Sequence, residues 1–344
     1  MERTTLSRRT FSKGLAGMAA LTAAGTLGLA GCGGDTAESG STSASGDGKT
    51  YKIGVLQLTE HAALDAANDG FVRALDESGI SYDIEQQNAQ NDQSACQTIA
   101  STLVNDGCDL ILAIATPAAQ AVAGATSDIP IIGTAITDFA ASGLVDDNDA
   151  PGGNLTGTSD MNPVSDQIDL LAQLVPDAKT VGLLYCTAES NSDIQVALAE
   201  EALDELGIAH ERYTASSSNE IQQVSESMVG KVDAVYIPTD NTISAGISTV
   251  TMVTNENNLP TVVGEVGMVE GGALASVSIN YEELGYRAGE MAVQILTEGA
   301  DPAEMPIEQM TADECDLVYN QETADTLGID VSFLADEGGE DVSA

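Results

Sequence analysis

Lys52-Ile53-Gly54-Val55-Leu56-Gln57 and Thr180-Val181-Gly182-Leu183-Leu184-Tyr185 are both short apolar runs, and nearly the same text follows each. After the first come a helical pattern over residues 62–77, the break Ser78-Gly79-Ile80 and a second strand over 82–86. After the other come a helical pattern over 193–205, the break Leu206-Gly207-Ile208 and a strand over 211–214. Each half continues with a helix and a third strand, where residues 109–114 answer 233–237. Each then gives an apolar run behind a proline, Ile129-Pro130-Ile131-Ile132-Gly133 or Leu259-Pro260-Thr261-Val262-Val263-Gly264. Repetition on this scale predicts one architecture used twice.

The patterning names that architecture. Leu64, Ala67, Phe71, Ala74 and Leu75 fall at helical spacing, with Asp65, Asp69, Arg73 and Asp76 turned outward. The strands are continuous apolar runs, as expected when helices cover both faces of a parallel sheet. Strict alternation of strand and helix predicts an α/β chain of two similar doubly wound lobes joined by a hinge. Crossovers are expected near Met161, Asn280 and Pro306. They assign residues 51–160 plus 281–305 to the first lobe and 161–280 plus 306–335 to the second, and leave 336–344 as an acidic tail. Residues 281–298 are expected to return to the first lobe as one helix, and 316–320 to pair in the second.

In such sheets ligands sit beyond the carboxyl ends of the strands, and two lobes facing each other would bring both sets of ends to one cleft. The candidate ligand-binding residues there are Gln57, Glu60, His61, Thr116, Pro117, Ala118, Thr137, Asp138, Glu189, Asn191, Ser192, Asp240, Asn241 and Glu265. Thr116 and Asp240 hold the same place in the duplication, seven residues after Asp109 and Asp233. One is neutral and one anionic, which suggests a ligand with two opposite ends. Thr116-Pro117-Ala118 opens a helix whose free N–H groups suit a carboxylate, while Asp240 suits an ammonium. A small zwitterion fits both. Other uses of these side chains stand beside this one: His61 as a helix start, Glu60 and Glu189 as solvated acids, Asn191 and Ser192 as caps, Thr137 and Asp138 as a turn.

The N-terminus addresses the chain. Ser7-Arg8-Arg9-Thr10-Phe11-Ser12-Lys13 matches a twin-arginine export signal, and Leu29-Ala30-Gly31-Cys32 a lipobox whose cysteine takes a diacylglycerol after cleavage. The run between them is rich in small residues and short of the roughly 20 apolar residues of a membrane span. Residues 1–31 therefore read as a signal peptide, and 32–50 as a Gly/Ser-rich tether from a lipidated Cys32. Gly48-Lys49-Thr50 lacks the earlier glycine and the preceding strand of a phosphate loop. Expected localisation is the outer face of the cell membrane.

The 344 residues carry 54 acids against 11 Lys and Arg, a formal −43. Cleavage before Cys32 removes four basic residues and one acid and deepens it to −46. Such a balance argues against nucleic acid and against a polybasic membrane contact. It reads as a solvated acidic surface, of a kind that suits high salt. Cys96, Cys108, Cys186 and Cys315 are expected to be free thiols, since a helix separates the first two beyond bridging distance. No Cys/His cluster has zinc spacing, and no cofactor is expected. An anchored hydrolase would need a nucleophile beside His61 or His210, and the body holds no G-x-S-x-G elbow.

At these residues the chain resembles the ABC transporter substrate-binding proteins associated with tryptophan and tyrosine uptake. The matching stretches are Leu56-Gln57 with Glu60-His61 and Leu64-Asp65, Ala115-Thr116-Pro117-Ala118-Ala119-Gln120, Thr134-Ala135-Ile136-Thr137-Asp138, Pro151-Gly152-Gly153-Asn154-Leu155-Thr156-Gly157, Ile237-Pro238-Thr239-Asp240-Asn241 and Gly271-Gly272-Ala273-Leu274-Ala275. They run in order from about residue 52 to residue 334. The resemblance implies a periplasmic-binding-protein type I fold, closure on ligand by a hinge, and delivery to a permease driven by an ATPase, with no chemistry on the ligand. With 8 Tyr, 4 Phe and no Trp, few rings are present to stack on an aromatic ligand. A monomeric receptor for an aromatic amino acid is the leading expectation. A branched amino acid, a nucleoside or a sugar are alternative ligands, and a lipid-anchored sensor is an alternative use.

Overall fold

The computed structural model describes residues 49–343, and in them the duplicated text becomes two sheets of the same design. The expected signal peptide, Cys32 and nearly all of the tether lie outside the described residues. In the first sheet, β1 (Thr50–Gln57), β2 (Ser81–Asn88), β3 (Leu110–Ile114), β4 (Ile131–Ile136) and β5 (Leu155–Ser159) are parallel, in the order β2-β1-β3-β4-β5. In the second, β6 (Thr180–Cys186), β7 (Ala209–Ala215), β8 (Ala234–Ile237), β9 (Thr261–Val263) and β10 (Ala275–Ser278) repeat it as β7-β6-β8-β9-β10. This 2-1-3-4-5 order is doubly wound, with its direction reversing beside the first strand of each lobe.

Between the strands run α1 (Ala62–Ser78), α2 (Gln93–Asn105), α3 (Thr116–Ala125), α4 (Val164–Leu174), α5 (Ser190–Leu206), α6 (Ile221–Met228), α7 (Asn241–Ala245), α8 (Ile247–Glu256) and α9 (Val266–Glu270). Helix α10 (Tyr281–Val293) returns to the first lobe, and α11 (Gln321–Leu327) and α12 (Ser332–Asp336) close the second. The punctuation behaves as its chemistry requires. Gly79 and Gly207 end α1 and α5 at φ 74° and 73°, a left-handed turn that a side chain would resist. Asp109 receives the Lys52 N–H, and its counterpart Asp233 receives those of Lys179 and Thr180, so one device fixes the start of the central strand in both lobes.

Helices α1 and α10 touch backbone to backbone. A Cβ on Gly70 would lie 1.9 Å from the Glu282 carbonyl oxygen, and one on Gly285 would lie 1.8 Å from that of Ala67. No side chain larger than hydrogen fits at those two crossing points, and the close approach brings His61 and Tyr281, at the heads of the two helices, to the same end of the lobe.

The chain crosses between lobes after Ser159, after Ser278 and between β11 (Glu308–Gln309) and β12 (Asp316–Tyr319). The last crossing is later than the expected Pro306, because β11 pairs with β5 and stays in the first sheet. The stretch 281–298 is helical, but its final turn, 294–298, widens to a π-turn before Gly299. Nor is the C-terminus a plain tail: β13 (Glu340–Asp341) adds a strand beside β12, itself antiparallel to β10. Both β13 residues are exposed, so its acids keep their hydration while the backbone pairs. Cys96, Cys108 and Cys186 are buried and Cys315 partly so, all four as free thiols.

Candidate ligand-binding site between the lobes

The strand ends of the two lobes meet around a small cavity of about 10 Å³, room for roughly one water molecule and far below the roughly 300–1,000 Å³ of small-ligand pockets. The first lobe contributes His61, Ala63 and Leu64 from the head of α1, Ala135 and Thr137 from the end of β4, and Tyr281 from the head of α10. The second contributes Asn191 on α5, Thr239, Asp240, Asn241 and Ser244 around α7, and Glu265 before α9. Asp160, on the first crossing, completes the lining. Three carboxylates face this space, and among the described lining residues there is no Lys or Arg; His61 is the one basic side chain.

The carboxylates are held very differently. Asp240 caps α7: its Oδ1 accepts from Ile243 N (2.9 Å), and its Oδ2 from Cys186 N (2.6 Å) and Ser192 Oγ (2.7 Å). Glu189 accepts from the backbone N–H groups of Asn241 and Thr242 at the same helix head. Burial, and then the nearby Glu189, push the Asp240 carboxyl well above the usual carboxylate range. Glu265 caps α9, accepting from Ser244 Oγ (2.6 Å) and Gly267 N. Asp160 accepts from the Tyr281 hydroxyl at Oδ2 (3.0 Å), while its buried Oδ1 has no hydrogen-bond partner. The Thr137 hydroxyl eases its charge from nearby without bonding to Oδ1. Burial dominates and raises the Asp160 pKa to about 6, with Glu265 adding to the rise.

Hydrogen bonds bridge the two lobes around the cavity. His61 Nε2 lies 3.1 Å from Asn241 Oδ1 and its Nδ1 3.4 Å from Ser244 Oγ. Asn91 donates to Thr242 Oγ1 (2.9 Å), Gln93 to the Ala188 carbonyl (3.1 Å) and Gln195 to Thr137 Oγ1 (3.3 Å). The molecule therefore stands closed, and a bulky ligand enters only if the lobes part.

Of the residues singled out from sequence, His61, Thr137, Asn191, Asp240, Asn241 and Glu265 line the cavity. The others stand back from it. Gln57 ties β1 to α1 through Thr59 and Asp65, Glu60 is exposed, and Asp138 holds a turn through Ala141 and Asn148. Ser192 and Glu189 support the α7 head, so Glu189 is a buried cap and not a solvated acid. Thr116, Pro117 and Ala118 open α3 as expected; Pro117 and Glu189 face a second interlobe space beside the first, and Thr116 Oγ1 is buried without a partner. Sequence reasoning missed Asp160, Tyr281 and Ser244, whereas Thr239, which lines the cavity, was expected at the cleft with Asp240 and Asn241. Asp160 and Tyr281 could have been found: each directly adjoins an expected crossover, where the cleft floor must lie.

Fold and site together define a two-lobed solute receptor that closes over a small ligand. Residues 52–334 match the family model described as ABC transporter substrate binding protein, and the chain belongs to that family. It is 42% identical over 313 residues to a tyrosine-binding protein of Clostridioides difficile (strain R20291), covering 88% of this chain and 90% of the relative. It is similar to a solved ABC domain in complex with L-Trp from Streptococcus pneumonia, with 40% identity, TM-score 0.80, and coverage of 82% of this chain and 96% of that one. A ligand-free, open substrate-binding protein with adhesive properties from Clostridium difficile is 44% identical over the same shares, yet its TM-score is 0.63. Similar identity with poorer superposition is what a difference in lobe opening produces. Members of this family bind solutes outside the cytoplasm for an importer, a binding role and not a catalytic one. Among the described residues no helix is long and apolar enough to cross a membrane.

Proposed function

We propose that this protein captures an aromatic amino acid between its lobes and delivers it to the permease of an ABC importer. The observation that carries the reading is the enclosed cavity with an acidic wall and, in its described lining, no Lys or Arg. Such a wall suits an ammonium, while the ligand carboxylate is directed to neutral donors. Ala63, Leu64, Ala135 and the Tyr281 ring give the cavity its apolar side, where the ligand ring is placed once the lobes part to admit it. The tyrosine-binding relative and the L-Trp complex support this ligand class.

A thermal-shift screen tests it. L-Tyrosine, L-tryptophan and L-phenylalanine are expected to raise the melting temperature, since a ligand at 100 times its Kd adds about 2.7 kcal/mol to folding stability. Shifts from sugars or nucleosides, with none from amino acids, contradict the assignment.

The protein works as a monomer on the outer face of the membrane, exported through the twin-arginine route and held by lipid on Cys32. The lipobox and the Arg8-Arg9 pair support this. In detergent phase partition the wild-type mature protein is expected in the detergent phase and Cys32→Ala in the aqueous phase. Identical partition of the two contradicts the anchor.

A further inference from the structure

Of the three carboxylates around the cavity, Asp240 and Glu265 have a donor on each oxygen, supplied by their own lobe. Asp160 is different: Oδ2 is held and Oδ1 is bare. A buried acceptor left unmatched is destabilising, and here the fold maintains it. Asn162 donates to the Asp160 carbonyl and accepts from Ile279 N (3.0 Å), while Tyr281 reaches Asp160 from just past the second crossing. Two crossings thus fix the carboxylate at the hinge. The other unpaired side-chain atom among the described lining residues, Asn191 Oδ1, is also an acceptor. The lining is short of donors and positive charge, and an ammonium brings three N–H donors and one charge.

We propose that Asp160 Oδ1 is the counter-ion of the ligand's α-ammonium, and that a free amine is the feature the cavity selects most strongly. This rests on the amino-acid reading above and names the group that enforces it. The groups around Asp160 are the Tyr281 hydroxyl of α10, the Thr137 hydroxyl after β4 and the Glu265 carboxylate before α9. Glu265 opposes ionisation of Asp160; an incoming ammonium favours it. With the carboxyl raised to about 6 in the ligand-free site, affinity for amine-bearing ligands rises as the pH rises through that value. Ligands without the amine do not follow.

The test is calorimetric titration of L-phenylalanine and 3-phenylpropionate, which differ only in the amine, into wild type and Asp160→Asn at pH 7.5. In wild type, loss of the amine is expected to weaken binding at least about 30-fold, the usual consequence of removing one partner of a buried charge pair. In Asp160→Asn that ratio is expected to collapse to within about threefold, while Glu265→Gln keeps most of it. A full amine preference in folded Asp160→Asn overturns the assignment alone, as does a collapse confined to Glu265→Gln. Wild type that binds neither compound, nor tyrosine or tryptophan, overturns the amino-acid reading with it. Wild type alone supplies a second measurement: the affinity ratio of the two ligands rises between pH 5 and 7.5. A flat ratio overturns the assignment without any variant.

Discussion

Asp160 and Asp240 line one cavity and are equally hidden, at 5% and 1% exposure, yet they do opposite work. Asp240 meets two backbone N–H groups and a serine hydroxyl and holds the head of α7 to the end of β6. Asp160 meets one tyrosine hydroxyl and keeps an oxygen bare at the hinge. Burial raises both carboxyl groups, so the difference lies in what surrounds them and not in depth. A carboxylate with donors on both oxygens is part of the scaffold. One with an unmatched oxygen is a candidate for recognition, because its ligand-free state is the less stable one.

The same lesson separates the duplicated helix heads. Thr116 and Asp240 stand at matching points of the two lobes, but α7 is capped by Asp240 and flanked by Glu189, whereas α3 has no side-chain cap. One repeat closed its helix terminus with carboxylates and the other left it open.

The comparison breaks most sharply in ligand-free stability. Asp160→Asn removes an uncompensated buried charge and should raise unfolding free energy at pH 7.5 by roughly 2–3 kcal/mol, given the carboxyl raised from 3.8 to about 6. Asp240→Asn should raise it less, because relief of its own buried charge is offset by about 1–2 kcal/mol when an amide NH2 faces the donors that hold the carboxylate. Urea unfolding measures both, and a gain in Asp240→Asn equal to or larger than that in Asp160→Asn would erase the distinction.

The pH dependence sharpens it. Between 3.8 and about 6 the folded protein holds a proton on Asp160 that the unfolded chain has released, so this residue makes stability fall as pH rises through that window. The wild-type curve is expected to lose that part of its slope in Asp160→Asn; parallel curves would contradict the assignment.

Closure gives a smaller effect. A Cβ at Gly267 would lie 2.7 Å from the Ala62 Cβ across the cleft, so Gly267→Val should hold the lobes apart and weaken amino-acid binding by about tenfold. Small-angle scattering with ligand present should show a larger radius than wild type. The least change is expected for Asn91→Ala, which removes one interlobe hydrogen bond at the cleft mouth: less than about fivefold in affinity, read by calorimetry.

Much of the fold was legible in the residues. Paired apolar runs, Gly79 and Gly207, and the Asp109 and Asp233 positions announced two like lobes, because repeated local chemistry repeats local structure. The edges were harder. Glu308-Gln309 and Glu340-Asp341 look like linker and tail, since a two-residue edge strand leaves no apolar pattern and depends on a neighbour far along the chain. At the site, residue type pointed to Asp240 as a free carboxylate, but the donors that occupy it come from Cys186 and Ser192, more than 40 residues away. Asp160 was overlooked for the converse reason: nothing near it in the chain marks one oxygen as unmatched, a property of the folded hinge.

A crystal structure of the complex with L-tyrosine tests the assignment of the hinge carboxylate most directly. The expected result is an ammonium nitrogen about 2.7–2.9 Å from Asp160 Oδ1, with the Tyr281 hydroxyl still on Oδ2. An ammonium seated on Asp240 instead, with Asp160 turned to the ring or to solvent, would contradict it.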